Sequence, residues 1–180
     1  RYGLDVDRAV DERRDPVRAT DAALDYLQDL YDRFGSWYLA AAAYNSGEGR
    51  VGRAMRAEFG RERARSESEY YAIWDRLPAE TRDYVPLMIA AARITKDAEA
   101  YGFRPLTPEG RAWDVITAEP ATPLSEIASA YGTTVSELKA LNPHFLIHRT
   151  PNNRSYEVRL PDGAVEQYAQ VASGTGRNAD

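Results

Sequence analysis

Apolar residues recur at helical spacing through the first hundred positions. Val17, Ala19, Ala23, Tyr26, Leu27, Leu30, Tyr31 and Phe34 lie one helical turn apart. Asp15-Pro16 supplies an N-cap and a first-turn proline ahead of them, and Gly35 is a stop signal. Ser36 can cap a second helix, Trp37 to Tyr44, whose Leu39-Ala40-Ala41-Ala42-Ala43 run lets helix backbones approach closely. Asn45-Ser46-Gly47-Glu48-Gly49 should break it, and a short helix from Arg50 to Phe59 should follow. The mixed-sign run Arg61 to Glu69 reads as a solvated face or surface loop. A long helix is predicted from Glu80 to Tyr101, with Val85, Leu87, Met88, Ile89, Ala92 and Ile94 on its buried side.

The period then changes. Residues 102–112 form a linker with prolines and glycines. Trp113 to Thr117 alternates and is rich in β-formers, as does Tyr156 to Leu160. Between them lie two short helices, one opened by Thr122-Pro123 and one by the capping box Thr134-Val135-Ser136-Glu137. The domain reading is therefore a mainly α domain over 1–101, a linker, a small β-α-α-β module over 113–163, and a C-terminal extension over 164–180 whose polar end, from Ser173, reads as disordered.

Composition narrows the classes. Of 180 residues, 43% are hydrophobic and 28% charged, as in ordinary folded domains. The net charge of −5 argues against a nucleic-acid partner. Without cysteine there are no disulfides or thiolate metal sites. His144 and His148 sit in a Pro- and Asn-rich stretch with no third ligand, so no metal or other cofactor is expected. No run approaches the roughly 20 apolar residues that span a bilayer. The chain starts Arg1-Tyr2-Gly3, without methionine, and is expected to be a processed product or a fragment.

Two stretches can carry chemistry. Ala43-Tyr44-Asn45-Ser46-Gly47 ends the small-residue helix. An asparagine side chain both donates and accepts hydrogen bonds, which suits an N-acetyl sugar, and the tyrosine adds a ring. The same residues also make an ordinary helix end. Pro78-Ala79-Glu80-Thr81-Arg82-Asp83-Tyr84-Val85-Pro86 opens the long helix, with acidic residues favoured there by the helix dipole.

Asp15-Pro16, Tyr26-Leu27, Phe34-Gly35, Ala43 to Gly47 and Pro78 to Val85 follow the order of soluble-lytic-transglycosylase domains, relatives of goose-type lysozyme. The chain most resembles the membrane-bound lytic murein transglycosylase D group. This resemblance implies a partial, mainly α lysozyme-like domain that acts on peptidoglycan in the periplasm or cell envelope. One glutamate would protonate the bridging oxygen between N-acetylmuramic acid and N-acetylglucosamine, then act as base while the muramic 6-hydroxyl attacks C1, giving a 1,6-anhydro product. It implies that Asn45 contacts the sugar, that Tyr44 and Gly47 line the cleft, and that Tyr84 orients the glutamate. The family's earlier Glu-Ser and Gly-Leu-Met-Gln motifs are read as missing from this chain, whose Arg1-Tyr2-Gly3-Leu4 resembles the stretch after them. The glutamate is thus expected upstream of Arg1, as is any lipid anchor tying the protein to an outer membrane. Glu48 and Asp83 have polar neighbours, a poor setting for a replacement general acid. With the upstream helices gone, the apolar faces of Trp37 to Tyr44 and Glu80 to Tyr101 are expected to be exposed.

Glu119 to Ala128, Tyr131 to Val135, Leu138 and Leu141-Asn142-Pro143 resemble a LysM module, which implies glycan binding between two loops. Ala121, Thr122, Leu124, Asn142 and Leu146 to Thr150, with Ile147 among them, would line that groove, and the second loop, Leu146 to Ser155, is long. Alanine and threonine replace the usual glycine and aspartate at 121 and 122, which puts sugar binding in question. Two other readings remain at this stage: a non-catalytic protein that binds peptidoglycan or chitooligosaccharide, and a helical interaction domain with a small α/β appendage.

Overall fold

A computed structural model describes residues 2–105 and 112–174. Part of the expected linker, 106–111, lies outside the described residues, as does most of the tail read as disordered, 175–180. By packing, the chain divides into two compact units. One holds Tyr2 and residues 21–105. The other holds Gly3–Thr20 and residues 112–174.

The first unit is helical. Helix α1 (Pro16–Phe34) starts on Asp15, whose Oδ1 accepts from the N–H of Val17 (3.0 Å) and Arg18 (3.3 Å). Gly35 ends it at φ 67°. Helix α2 (Trp37–Ser46) begins on Ser36, whose hydroxyl accepts from Leu39 N–H. Leu39 through Ala43 are all but fully buried, so the small side chains let α3 (Glu48–Phe59) and α5 (Ala79–Lys96) pack closely on α2. The α2 face expected to be exposed is therefore covered. The break falls at Gly47 alone (φ 90°, ψ 134°), a conformation that only glycine adopts freely. Asn45 and Ser46 still belong to α2, while Glu48 and Gly49 already belong to α3.

The charge run 61–69 is not a merely solvated face. Arg61 pairs with Glu69 through two 2.8 Å contacts, and Glu62 pairs with Arg33 and Arg56. Glu67 accepts from the Ser36 hydroxyl (2.5 Å) and from the N–H groups of Trp37 (2.9 Å) and Tyr38 (3.0 Å). A carboxylate thus meets the positive end of the α2 dipole and satisfies its unpaired donors. A short helix, α4 (Glu69–Ala72), follows and places Tyr70 in the core. Burial pushes the Tyr70 phenol up to about 12. Its hydroxyl lies 3.5 Å from the carbonyl of Arg82, which has no i+4 donor because that position is Pro86.

Helix α5 buries Thr81 and Val85, and Tyr84, Met88 and Ile89 pack against the core. Leu87 and Ala92, expected on the buried side, are exposed, Leu87 at 68%; Ala92 lies on the phase of the buried stripe but is left uncovered, whereas Leu87 faces outward. At about 100° per residue, position 87 stands roughly opposite the stripe through 81, 85 and 88. The helix ends at Lys96, and Glu99–Tyr101 is a separate 3-10 turn.

The second unit is built on the antiparallel pair β1 (Trp113–Ala118) and β2 (Tyr156–Pro161), in register from Trp113↔Pro161 to Ala118↔Tyr156. Helices α6 (Leu124–Ala130) and α7 (Val135–Leu141) lie between them in sequence, and α8 (Ala164–Gly174) follows. The capping box of Thr134 and Glu137 is complete. Leu124, Ile127, Leu138, Val158 and Leu160 form the core.

Residues 3–20 belong to this core too. Val10 is fully buried in it. The Asp11 N–H donates to His144 O (2.9 Å) and the Leu146 N–H to Ala9 O (2.8 Å), so the segment adds a short antiparallel pairing to the α7–β2 loop. Where the sequence pattern groups 1–101, packing therefore groups 3–20 with the β-α-α-β module. Buried Glu12 accepts from the Tyr156 hydroxyl (2.5 Å) and pairs with Arg18 (2.9 Å).

Candidate functional site

The site in the helical unit is the end of α2 against the start of α5. Asn45 Oδ1 accepts from the Thr81 hydroxyl at 2.7 Å. Thr81 is buried, so it fixes which way the asparagine amide faces. The Asn45 Nδ2 group then points the other way and donates to Glu80 Oε1 at 3.4 Å. A donor amide beside an acceptor carboxylate is the pair that an acetamido group requires. Tyr44 is 40% exposed, and its ring lies 5.6 Å from that of Tyr26, which is 5.5 Å from that of Tyr2. Gly47 is exposed, with open space where a side chain would project. Tyr84 is half-buried, one helical turn beyond Thr81, against the core.

The structure therefore joins Asn45 to Thr81 and Glu80, and Tyr44 to Tyr26. Thr81, Glu80, Tyr26 and Tyr2 carried no role in the sequence reading. Thr81 stood inside a motif already singled out. A threonine at the buried phase of an otherwise apolar stripe was the available signal. Nothing local marked Tyr2 or Tyr26.

Glu48 pairs with Arg33 at 3.3 Å. The chain contains a Glu-Ser pair after all, Glu67-Ser68, downstream of where the family order places one. Its carboxylate accepts three hydrogen bonds at the start of α2, the opposite end from Asn45. That is a capping arrangement, whereas a proton donor needs a protonated carboxyl in an apolar setting.

In the second unit the two loops expected to frame a groove are bonded to one another. Ala121 N–H donates to Pro151 O (2.9 Å), Thr150 N–H to Thr122 O (3.0 Å), and Leu124 N–H to His148 O (2.9 Å). The Thr150 hydroxyl accepts from Thr122 N–H and donates to Glu119 O. Leu124 is buried in the core, so it shapes the groove floor at most. Asn142 is 1% exposed, and its amide binds Leu138 O, Arg159 O and Arg159 N–H, which ties α7 to β2. Both are thus internal rather than open to a ligand. Ala121 (φ 58°) and Thr122 remain on the surface, with Ile147 half-buried. Ala121 holds a left-handed conformation that glycine adopts without strain.

His144 and Asp15 form a second buried cluster. His144 Nδ1 lies 3.1 Å from Asp15 Oδ2, which pairs with Arg159 at 2.8 Å. Burial works against charge on Asp15, but the Arg159 guanidinium and the N–H groups of Arg18 and Val17 hold its carboxyl below the usual range. Burial also pushes the His144 imidazole down, against the pull of Asp15 and with help from Arg159 and Arg18. Among the described residues, no three acidic, histidine or cysteine side chains gather as a metal site.

A helical unit with an Asn-bearing helix end is followed in sequence by a β-α-α-β module. Residues 1–66 match the family described as the Transglycosylase SLT domain, and residues 112–174 match that described as the lytic transglycosylase MltD LysM-like domain. The chain is 41% identical over 144 residues to the membrane-bound lytic murein transglycosylase D of Escherichia coli K12, covering 78% of this chain and 30% of that protein. The protein of the same name from E. coli O6:H1 matches equally. A putative tributyltin chloride resistance protein of Alteromonas sp. strain M-1 is 52% identical over 46 residues, 25% of this chain and 22% of that one. The chain thus spans under a third of the length of these relatives.

Proposed function

We propose that this chain is part of a peptidoglycan lytic transglycosylase of the bacterial envelope, and that it supplies the sugar-holding side of the cleft. The Thr81–Asn45 hydrogen bond carries this reading, because it sets the Asn45 amide donor beside the Glu80 carboxylate at the end of α2, next to the exposed Tyr44 ring. Asn45 Nδ2 donates to the acetamido carbonyl of an N-acetyl sugar, and Glu80 accepts from its N–H. Tyr44 packs on the sugar ring. Gly47 lets the glycan approach the backbone closely. Tyr84 positions a general-acid glutamate that a longer protein contributes. That protein cleaves the β-1,4 bond between N-acetylmuramic acid and N-acetylglucosamine, and the muramic 6-hydroxyl closes the 1,6-anhydro ring. One carboxyl then serves as acid and as base, unlike the paired carboxylates of most glycosidases. No helix of the described residues is long and apolar enough to cross a membrane, and an anchor at the outer membrane would come from elsewhere in the longer protein.

The test is a protein extended to the relatives' length, incubated with purified sacculi. Mass spectrometry should find 1,6-anhydro muropeptides, and Asn45→Ala should lower their yield by about a hundredfold if the amide serves the transition state. Reducing-end products, or full activity of Asn45→Ala, would overturn the reading.

A further inference from the structure

The second unit contains an open depression of about 490 Å³ that shares Ile147 and Arg149 with the loop expected to frame the groove, but has the N-terminal segment instead of the β1–α6 loop as its other side. Arg8 and Ala9 of the N-terminal segment form one wall. Ile147, Arg149, Pro151, Asn152 and Asn153 of the α7–β2 loop form the other. The walls are fixed to each other, because Ala9 O accepts from Leu146 N–H and His144 O from Asp11 N–H. Asp7 lies at the rim, but its Oδ1 accepts from the N–H groups of Ala9 (2.7 Å) and Val10 (2.9 Å), and its Oδ2 pairs with Arg154. Its charge is therefore engaged in building the wall.

Arg13, Arg18, Arg154 and Arg159 in the same unit pair with carboxylates. Arg8, Arg14 and Arg149 have no ion pair among the described residues, and of these Arg8 and Arg149, both exposed, line the depression. Two arginines without counter-ions thus border a space of monosaccharide to disaccharide size. Guanidinium forks match a carboxylate through paired hydrogen bonds. Asn152 and Asn153 can donate to and accept from hydroxyl and amide groups, while Ile147 and Pro151 offer an apolar surface to a sugar ring.

We propose that this depression binds an acidic saccharide, with its carboxylate received by Arg8 and Arg149. The choice of a saccharide as the carrier of the carboxylate rests on the peptidoglycan reading above. The site exists only where residues 7–9 are docked on the module, so an isolated β-α-α-β module would lack one wall.

The experiment is a ¹H–¹⁵N NMR titration of the full 180-residue chain with three probes. N-acetylmuramic acid carries a lactyl carboxylate on an N-acetyl sugar, digalacturonate is acidic without peptidoglycan chemistry, and diacetylchitobiose is neutral. N-acetylmuramic acid should move the amide signals of Ala9, Asn152 and Asn153, and diacetylchitobiose should leave them in place. Arg8→Gln and Arg149→Gln should each weaken binding by about tenfold, in line with the loss of one charge-assisted hydrogen bond. Both side chains are exposed, so the variant spectra should keep the parent dispersion. Binding of digalacturonate alone, lost in the arginine variants, would sustain the site and overturn the peptidoglycan reading. Equal shifts with diacetylchitobiose that persist in both variants, or no shifts with any probe, would overturn the proposal.

Discussion

Thr81 and Asn45 show how one hydroxyl can set the chemistry of a surface. With its oxygen bound to a buried threonine, the Asn45 amide turns its donor end to the Glu80 carboxylate. Thr81→Val keeps the shape and removes the donor. It should lower stability by about 1 kcal/mol, the usual worth of one such bond, as read from urea unfolding. The Asn45 side-chain NH2 signals should broaden as the amide gains freedom to turn. An unchanged midpoint with unchanged amide signals would show that the bond fixes nothing. The sequence marked Asn45 but not its partner. Asn-Ser-Gly at a helix end is a local pattern, whereas the threonine lies 36 positions away on another helix.

Among the elements, α2 depends most on distant residues. Its small side chains were legible as a close-packing helix, and Ser36 as its cap. Glu67 was not legible, because a glutamate in a mixed-charge run looks the same whether it faces water or a helix end. In the structure it accepts from Ser36, Trp37 and Tyr38 at the helix start. Glu67→Ala should cost about 1–2 kcal/mol, the sum of a cap and a dipole interaction. Thermal unfolding followed by circular dichroism would measure it, and a cost below about 0.3 kcal/mol would reduce Glu67 to the surface charge that the sequence suggested. The exposure of Leu87 is the converse case. An apolar residue in a helix was read as buried, yet its angular position about the helix axis decided otherwise.

At the scale of the whole molecule, the N-terminal segment is bound into the second unit through charge as well as apolar burial. Asp15, which starts α1, meets His144 and Arg159, with Glu12, Arg18 and Tyr156 nearby. The pH dependence follows from His144. Above about pH 6.5 the ring is neutral in both folded and unfolded chains. Below that, the unfolded chain takes up its proton first, because burial holds the folded imidazole lower. Stability of this unit should therefore fall as pH drops below about 6.5. Asp15 acts in a lower window: its stabilising charge is present above about pH 3.8 and is lost as pH falls through its depressed folded value. Urea midpoints between pH 7.5 and 5 should decline for the parent chain, and His144→Gln should flatten that decline. Parallel slopes for the two proteins would assign the effect to other groups.

The sequence by itself determined the elements and their order. Helical periodicity, the capping residues of α1, α2 and α7, and the alternation of β1 and β2 are local signals, and local steric and hydrogen-bonding rules act on them directly. It also carried the order of motifs from which the family resemblance was read, and residues 1–66 and 112–174 match two described families. Only the tertiary structure decided which unit residues 3–20 join, which atom of Asn45 meets Thr81 and which meets Glu80, and that Leu124 and Asn142 lie inside the module while Arg8 and Arg149 share an open depression. Those outcomes depend on pairings between positions far apart in the chain. A charged, aperiodic stretch such as residues 1–14 has no period from which its partner could be read.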